Sequence, residues 1–177
     1  FADKIQPALD VAREVHRLEW RKGGKIPRPY FAHIQDLYDL ALKMGIEDVD
    51  VYKALILHDT VESGYDPGLI ALQFPEVADY VKELTFIPSE DSNKKSQKEK
   101  YMESFANKSI VSVLVKVLDR ICNVRDFIND NNVYAREYLQ KAESLFDAFE
   151  DRKQEIIDRW GKDVWQKVKM EYDNIDY

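Results

Sequence analysis

Glycine and proline are scarce in this chain, six of each among 177 residues, and alternating strand-like runs are scarcer still. Few chain-breaking residues and little period-two patterning leave long stretches of helical periodicity. The expected fold class is therefore all-α. Cysteine is rarer: Cys122 stands alone in an apolar stretch. An internal disulfide is excluded, and burial as a small hydrophobe is the expected role, in keeping with a reducing compartment. No apolar run reaches the length needed to span a bilayer, so no membrane partner is expected. No signal peptide is visible, although Phe1 is not a natural start and leaves a trimmed leader open. The expected location is the cytoplasm. Positive charge is in deficit as well. A net charge of −7 argues against a long nucleic-acid partner, whose affinity rests on phosphate neutralisation.

What is present suits one domain over residues 1–177 with a substantial core: 45% hydrophobic and 33% charged residues. The pattern predicts helices over 7–21, 30–44, 48–61, 67–73, 75–85, 108–127, 132–159 and 162–173. Residues 48–61 and 108–127 are apolar almost all round, so both belong at the centre. Gly45 suits the C-terminal end of the second helix. Residues 86–100 are polar and read as a loop, either a lid beside an active site or a plain surface connection. Trp20, Trp160 and Trp165 are assigned to packing. Basic residues cluster twice, at Arg13, Arg17, Arg21, Lys22, Lys25 and Arg28, and again at Lys94, Lys95, Lys98 and Lys100. Two positive patches on an acidic chain suit a small anionic ligand, although any single lysine fits a solvated surface equally well.

The adjacent pair His58-Asp59 ends the apolar run Val51–Leu57. Ionisable residues there are costly unless something pairs with them. Two more stand in similar settings, His33 upstream and Asp119 deep in the apolar 108–127 stretch. Two imidazoles and two carboxylates suit one divalent transition metal. Lys116 or Arg120 offer Asp119 a purely structural alternative. Glu62 follows His58 by four positions, and Asn123 follows Asp119 by four, so each falls on its ligand's face if the helix continues. Only three histidines exist, and with His33 and His58 in this set His16 is left as a supporting or core residue.

Several motifs in order carry a resemblance: Ala12-Arg-Glu-Val-His16, Arg21-Lys22, Pro29-Tyr30-Phe-Ala-His33, Ala54-Leu-Ile-Leu-His58-Asp59-Thr-Val-Glu62, Glu83-Leu-Thr85, Lys116-Val-Leu-Asp119-Arg-Ile-Cys-Asn123-Val-Arg125 and Arg136-Glu-Tyr138. Together they span roughly residues 8–145, and the chain resembles the HD-domain hydrolase module of RelA/SpoT-type alarmone enzymes, especially the small stand-alone hydrolases. The resemblance implies an HD-domain helical bundle with a central metal site and no synthetase activity. It implies His33, His58, Asp59 and Asp119 as ligands of one metal ion, typically manganese. Glu62 would orient or deprotonate the attacking water, and Asn123 would support the substrate or that water. Arg21 and Lys22 would meet phosphates, Tyr138 would line the nucleotide pocket, and Lys98 and Lys100 would reach phosphates from the 86–100 segment. The implied reaction is release of pyrophosphate from the 3′ position of guanosine tetra- or pentaphosphate, a small anionic nucleotide.

The sequence departs from the family in three places. Ser63 follows Glu62 where the family has a second acidic residue, Ile34 follows His33 where it has proline, and the loop between Arg21-Lys22 and Pro29-Tyr30 is slightly longer. A hydroxyl cannot act as a carboxylate base, so Ser63 keeps two other readings open. One is a phosphohydrolase of another nucleotide, such as a deoxynucleotide or a phosphorylated dinucleotide cofactor. The other is a degenerate domain that binds a nucleotide or protein without turnover. Oligomeric state is not legible from the sequence.

Overall fold

The computed structural model describes residues 2–21, 27–90 and 93–177. Helices dominate these residues, and the only strand-like feature among them is an isolated antiparallel bridge between Trp20 and Pro29. The helices are α1 (Ala2–His16), α2 (Phe31–Lys43), α3 (Val49–Leu57), α4 (Pro67–Gln73), α5 (Ala78–Leu84), α6 (Lys94–Glu103), α7 (Ile110–Ile128), α8 (Asn132–Gln140), α9 (Glu143–Asp151), α10 (Lys153–Trp160) and α11 (Lys162–Asp173). A short 3₁₀ turn, Ser104–Asn107, joins α6 to α7.

The two stretches apolar all round become the central helices. α3 packs against α1, α2, α5 and α7, while α7 also meets α2, α5, α8, α9 and α11. Val51, Leu55, Leu57, Leu114, Val117 and Leu118 lie fully buried between them. Leu114→Ala is expected to cost about 2–5 kcal/mol, the transfer term plus a cavity that close-packed neighbours fill only in part. Urea unfolding would read this as a lower midpoint at an unchanged slope.

Local chemistry sets the ends of α2 and α3. α2 closes with Gly45 at φ +80°, its N–H bonding Leu42 and the next N–H bonding Ala41, a left-handed cap that favours glycine. α3 opens on Asp48, whose carboxylate accepts the Asp50 N–H at 3.1 Å. The other Asp48 oxygen holds Arg159 and the Trp160 indole, each at 3.0 Å, and so ties α10 to the head of α3. Past Leu57 the chain continues in tight turns, with Thr60 N–H bonding Leu57 and Ser63 N–H bonding Asp59, until Gly64 at φ +104° ends them. Near-helical turns over residues 58–63 carry His58, Asp59 and Glu62.

Four expectations are corrected. The segment 86–100 is not all loop, because Asn93 caps α6 by accepting the Lys95 N–H at 2.8 Å. Met102 is the only buried residue of α6, so no apolar stripe signals it; Tyr101 anchors it through the Leu84 carbonyl at 2.7 Å and the Phe86 ring. The span 132–159 is three helices rather than one. Arg152 reaches out of the line to the carbonyls of Phe105, Ala106 and Lys108, and the chain turns at 141–142 and 152 so that α9 packs on α7. α1 lies five residues upstream of the predicted 7–21 at both ends. Ile5 enters the core with Ala8 and Ala12, and a turn from Glu19 to the His16 carbonyl ends the helix. Trp20 is 61% exposed and not a packing residue, whereas Trp160 and Trp165 do rest on the core.

Candidate metal centre

Four elements meet where the C-terminal end of α3 faces the middle of α7. α2 brings His33 in its first turn, the turns after α3 bring His58, Asp59 and Glu62, α7 brings Lys116, Asp119 and Asn123, and the α1–α2 connection brings Glu19, Arg21 and Tyr30. That connection is fastened like a small hairpin: Arg21 N–H bonds the Arg28 carbonyl at 2.8 Å, and Tyr30 N–H bonds the Glu19 carbonyl at 2.9 Å.

His33, His58 and Asp119 are 1%, 1% and 3% exposed. One ligand-type atom from each lies within 4.8 Å of the others. Asp119 divides its two oxygens. Oδ1 stands 2.8 Å from His33 Nε2 and 3.3 Å from His58 Nε2, while Oδ2 stands 3.3 Å from Lys116 Nζ. The structural alternative is thus half realised: Lys116 takes one oxygen, and the other faces the imidazoles. Arg120 turns instead to the Tyr138 carbonyl. Asp59 presents Oδ2 3.1 Å from His58 Nε2 and also accepts the Tyr30 hydroxyl, so it borders the cluster through His58.

The donor set fits a divalent cation. His58 Nδ1–H donates to the Leu55 carbonyl at 2.7 Å, which turns Nε2 toward the carboxylates. That buried Nε2 has no partner at hydrogen-bonding geometry, although two carboxylate oxygens stand close. Buried polar atoms are ordinarily satisfied. Nitrogen and oxygen atoms aimed at a common point, one of them orphaned, are what a metal site requires.

The electrostatics agree. Burial alone would lower the His58 pKa, but Asp59 and Asp119 raise it well above the ordinary imidazole value. Burial would raise Asp119, yet Lys116 and His58 hold it well below the usual carboxylate range. The same carboxylates thus favour positive charge at His58 Nε2. Burial and then Asp59 push the Tyr30 phenol far up, so it stays a donor. Removal of its carboxyl from water, and then the Asp59 charge, raise Glu62 above the ordinary glutamate value. The Phe86 N–H donates to Glu62 Oε1 at 2.5 Å and fixes its direction.

The candidate substrate residues are placed unevenly. Arg21 donates through Nε and Nη2 to Asp126 at 3.0 and 2.6 Å, and through Nη2 to Asn123 Oδ1 at 2.7 Å. Asn123 Nδ2 reaches the Tyr138 hydroxyl at 3.0 Å and Asp119 Oδ1 at 3.5 Å. Arg21, Asn123, Tyr138 and Asp119 therefore form one connected wall. Lys98 and Lys100 are exposed on α6, and no hydrogen bond or ion pair among the described residues joins them to the cluster. Lys22 and the tip of the lengthened loop lie outside the described residues. Ile34 is buried in the core, so the absent proline costs the α2 start nothing visible.

Two participants escape the sequence reading, Asp126 and Glu19. Asp126 orients Arg21 and Arg28. It lies seven residues past Asp119 and three past Asn123, so helical spacing could have found it. Glu19 and Ser63 meet through a hydrogen bond of 2.7 Å that no spacing announces.

With this geometry in hand, relatives can be weighed. No protein-family profile matches the sequence. The mouse (Mus musculus) protein named guanosine-3′,5′-bis(diphosphate) 3′-pyrophosphohydrolase MESH1 is 33% identical over 129 residues, which cover 71% of this chain and 70% of that protein. The chain belongs to the HD-domain family of stand-alone alarmone hydrolases. A solved structure described as a metazoan ortholog of SpoT that hydrolyzes ppGpp superposes with a TM-score of 0.73, covering 96% of this chain and 94% of that one. At 22% identity that match speaks for the fold. The all-α HD-type architecture expected from the sequence is borne out.

Proposed function

We propose that this chain is a metal-dependent 3′-pyrophosphohydrolase of guanosine-3′,5′-bis(diphosphate), with residues 1–177 as one catalytic unit and the cytoplasm as its compartment. Water adds across the phosphorus–oxygen bond at the 3′ position, giving guanosine 5′-diphosphate and pyrophosphate. The observation that carries the reading is the convergence of His33 Nε2, His58 Nε2 and Asp119 Oδ1 at a buried point, in a chain one third identical to a protein of that named activity.

His33, His58 and Asp119, with Asp59 at their edge, would hold the ion, for which manganese is our choice. A divalent ion there supplies charge that lowers the pKa of a water and offsets charge on phosphoryl oxygens. Glu62 takes the proton from the attacking water; burial and then the Asp59 charge raise its pKa above the ordinary glutamate value, which makes it the stronger base. Asn123 supports the reacting phosphoryl group or the water, and Tyr138 lines the base side of the pocket. Lys22, Lys98 and Lys100 supply outer positive charge. Arg21 is already oriented by Asp126 and Asn123, and its Nη1 remains for a phosphate oxygen.

Arg21→Ala is expected to raise KM about tenfold, the effect of one charge-assisted contact, with a smaller change in kcat. Steady-state kinetics separates the two. The function itself is tested by pyrophosphate release from guanosine-3′,5′-bis(diphosphate), first with manganese and then with chelator. Manganese-dependent release supports the reading. Release only from deoxynucleoside triphosphates or phosphorylated dinucleotide cofactors would redirect it to another nucleotide. Tight binding with no release from anything would make the chain a binding domain.

A further inference from the structure

Ser63 is next to Glu62 and carries no charge, yet a carboxylate stands beside it. Glu19 Oε1 accepts the Ser63 hydroxyl at 2.7 Å, and Glu19 Oε2 pairs with His16 Nδ1. The His16 ring is 2% exposed and lies 4.4 Å from the Tyr30 ring, whose hydroxyl donates to Asp59. The Glu19 carbonyl meanwhile holds the Tyr30 N–H, and two residues on Arg21 reaches Asn123 and Asp126. One residue thus joins the turn that bears Glu62, the end of α1, and the connection that bears Arg21 and Tyr30.

From this we infer that Glu19 is a positioning residue of the site, and that Glu19 and Ser63 act as a clamp built for a single carboxylate. The inference rests on the hydrolase reading for its kinetic test. In the clamp the serine donates and the glutamate accepts from both sides. A second carboxylate at position 63 would face Glu19 across the same short gap, where two like charges disfavour each other. The turn would move, and Glu62 with it. Ser63→Asp alone therefore lowers activity. Glu19→Gln in the same chain repairs the clamp with its polarity reversed. The new amide nitrogen donates to the introduced carboxylate, and the amide oxygen accepts from His16.

The experiment is a double-mutant cycle on the full chain: wild type, Glu19→Gln, Ser63→Asp and Glu19→Gln/Ser63→Asp. Each is read for kcat, KM, manganese content, melting temperature and the His16 Nδ1 proton resonance. Ser63→Asp is expected to lower kcat about tenfold with manganese content unchanged, and the double variant to return to within about threefold of wild type. The resonance should move in Ser63→Asp, and in the double variant it should again be that of a hydrogen-bonded proton, at the position set by an amide acceptor in place of a carboxylate. It is read without substrate, so it decides the clamp even if wild type hydrolyses nothing, an outcome that would sink the hydrolase reading alone. A double variant no better than the product of the singles overturns the inference. So do singles that shift the melting temperature and leave kcat in place, since Glu19 would then be a surface tie and nothing more.

Discussion

Asp119→Asn is expected to keep its fold, lose its metal and lose turnover by a factor on the order of 10³, the scale of the several kcal/mol that a metal contributes to the transition state. Each oxygen of the buried Asp119 faces groups that are cationic or able to become so, Lys116 on one and His33 and His58 on the other, with the neutral Asn123 amide farther off at 3.5 Å. On the proposed ligand set, the Asp119 charge is what would separate a cation site from a pair of core histidines. Asparagine keeps the shape and one acceptor oxygen but removes that charge. Lys116 then lacks its nearest counter-charge, so a lower melting temperature accompanies the loss of metal. Asp119→Ala goes further, because it leaves the Lys116 ammonium buried without its nearest counter-charge and His33 Nε2 without its carboxylate, at about 3–5 kcal/mol. Metal analysis of the folded Asn variant is the direct check. Manganese bound at wild-type stoichiometry would remove Asp119 from the ligand set, whatever happened to activity.

The same residue shows why so much of the centre was readable beforehand. A charged side chain in or at the end of an apolar run must be offset by a partner, and His58 and Asp59 close one such run while Asp119 lies inside another. Central burial of α3 and α7 follows from their apolar residues alone, and Gly45 marks the end of α2 through the one backbone conformation it favours. Other features depend on contacts that local sequence does not encode. α6 has no apolar period and exists through an asparagine cap and Tyr101. The breaks between α8, α9 and α10 contain neither glycine nor proline; at the second of them Arg152 binds carbonyls some 44 to 47 residues away. The partner of Ser63 is hidden for the same reason. Position 63 lacks a carboxylate in sequence, but the site does not lack one in space, since Glu19 arrives from another element. Arg21 was placed at the site by its motif, whereas its engagement with Asp126 and Asn123 emerges only when α7 lies beside the α1–α2 connection.

Glu62→Gln separates chemistry from assembly more cleanly than any other change. Glu62 lies three residues past Asp59 in the turns after α3, outside the His33–His58–Asp119 group, and its Oε1 is held by the Phe86 N–H at 2.5 Å. Glutamine keeps that acceptor, so the side chain stays where it is while its capacity to take a proton is gone. Positioned general bases contribute about 10²–10⁴-fold, and a loss of kcat in that range is expected. Manganese content should match wild type, because no ligand has changed. KM should change little if Glu62 acts on the water and not on the nucleotide. Clamp variants at Glu19 and Ser63 move Glu62 without removing it, so their smaller losses should vanish in a Glu62→Gln background. A Glu62→Gln protein with full turnover would instead place the proton transfer elsewhere, and the nearest remaining carboxylate with an exposed edge is Asp59, a quarter exposed and already hydrogen-bonded by Tyr30.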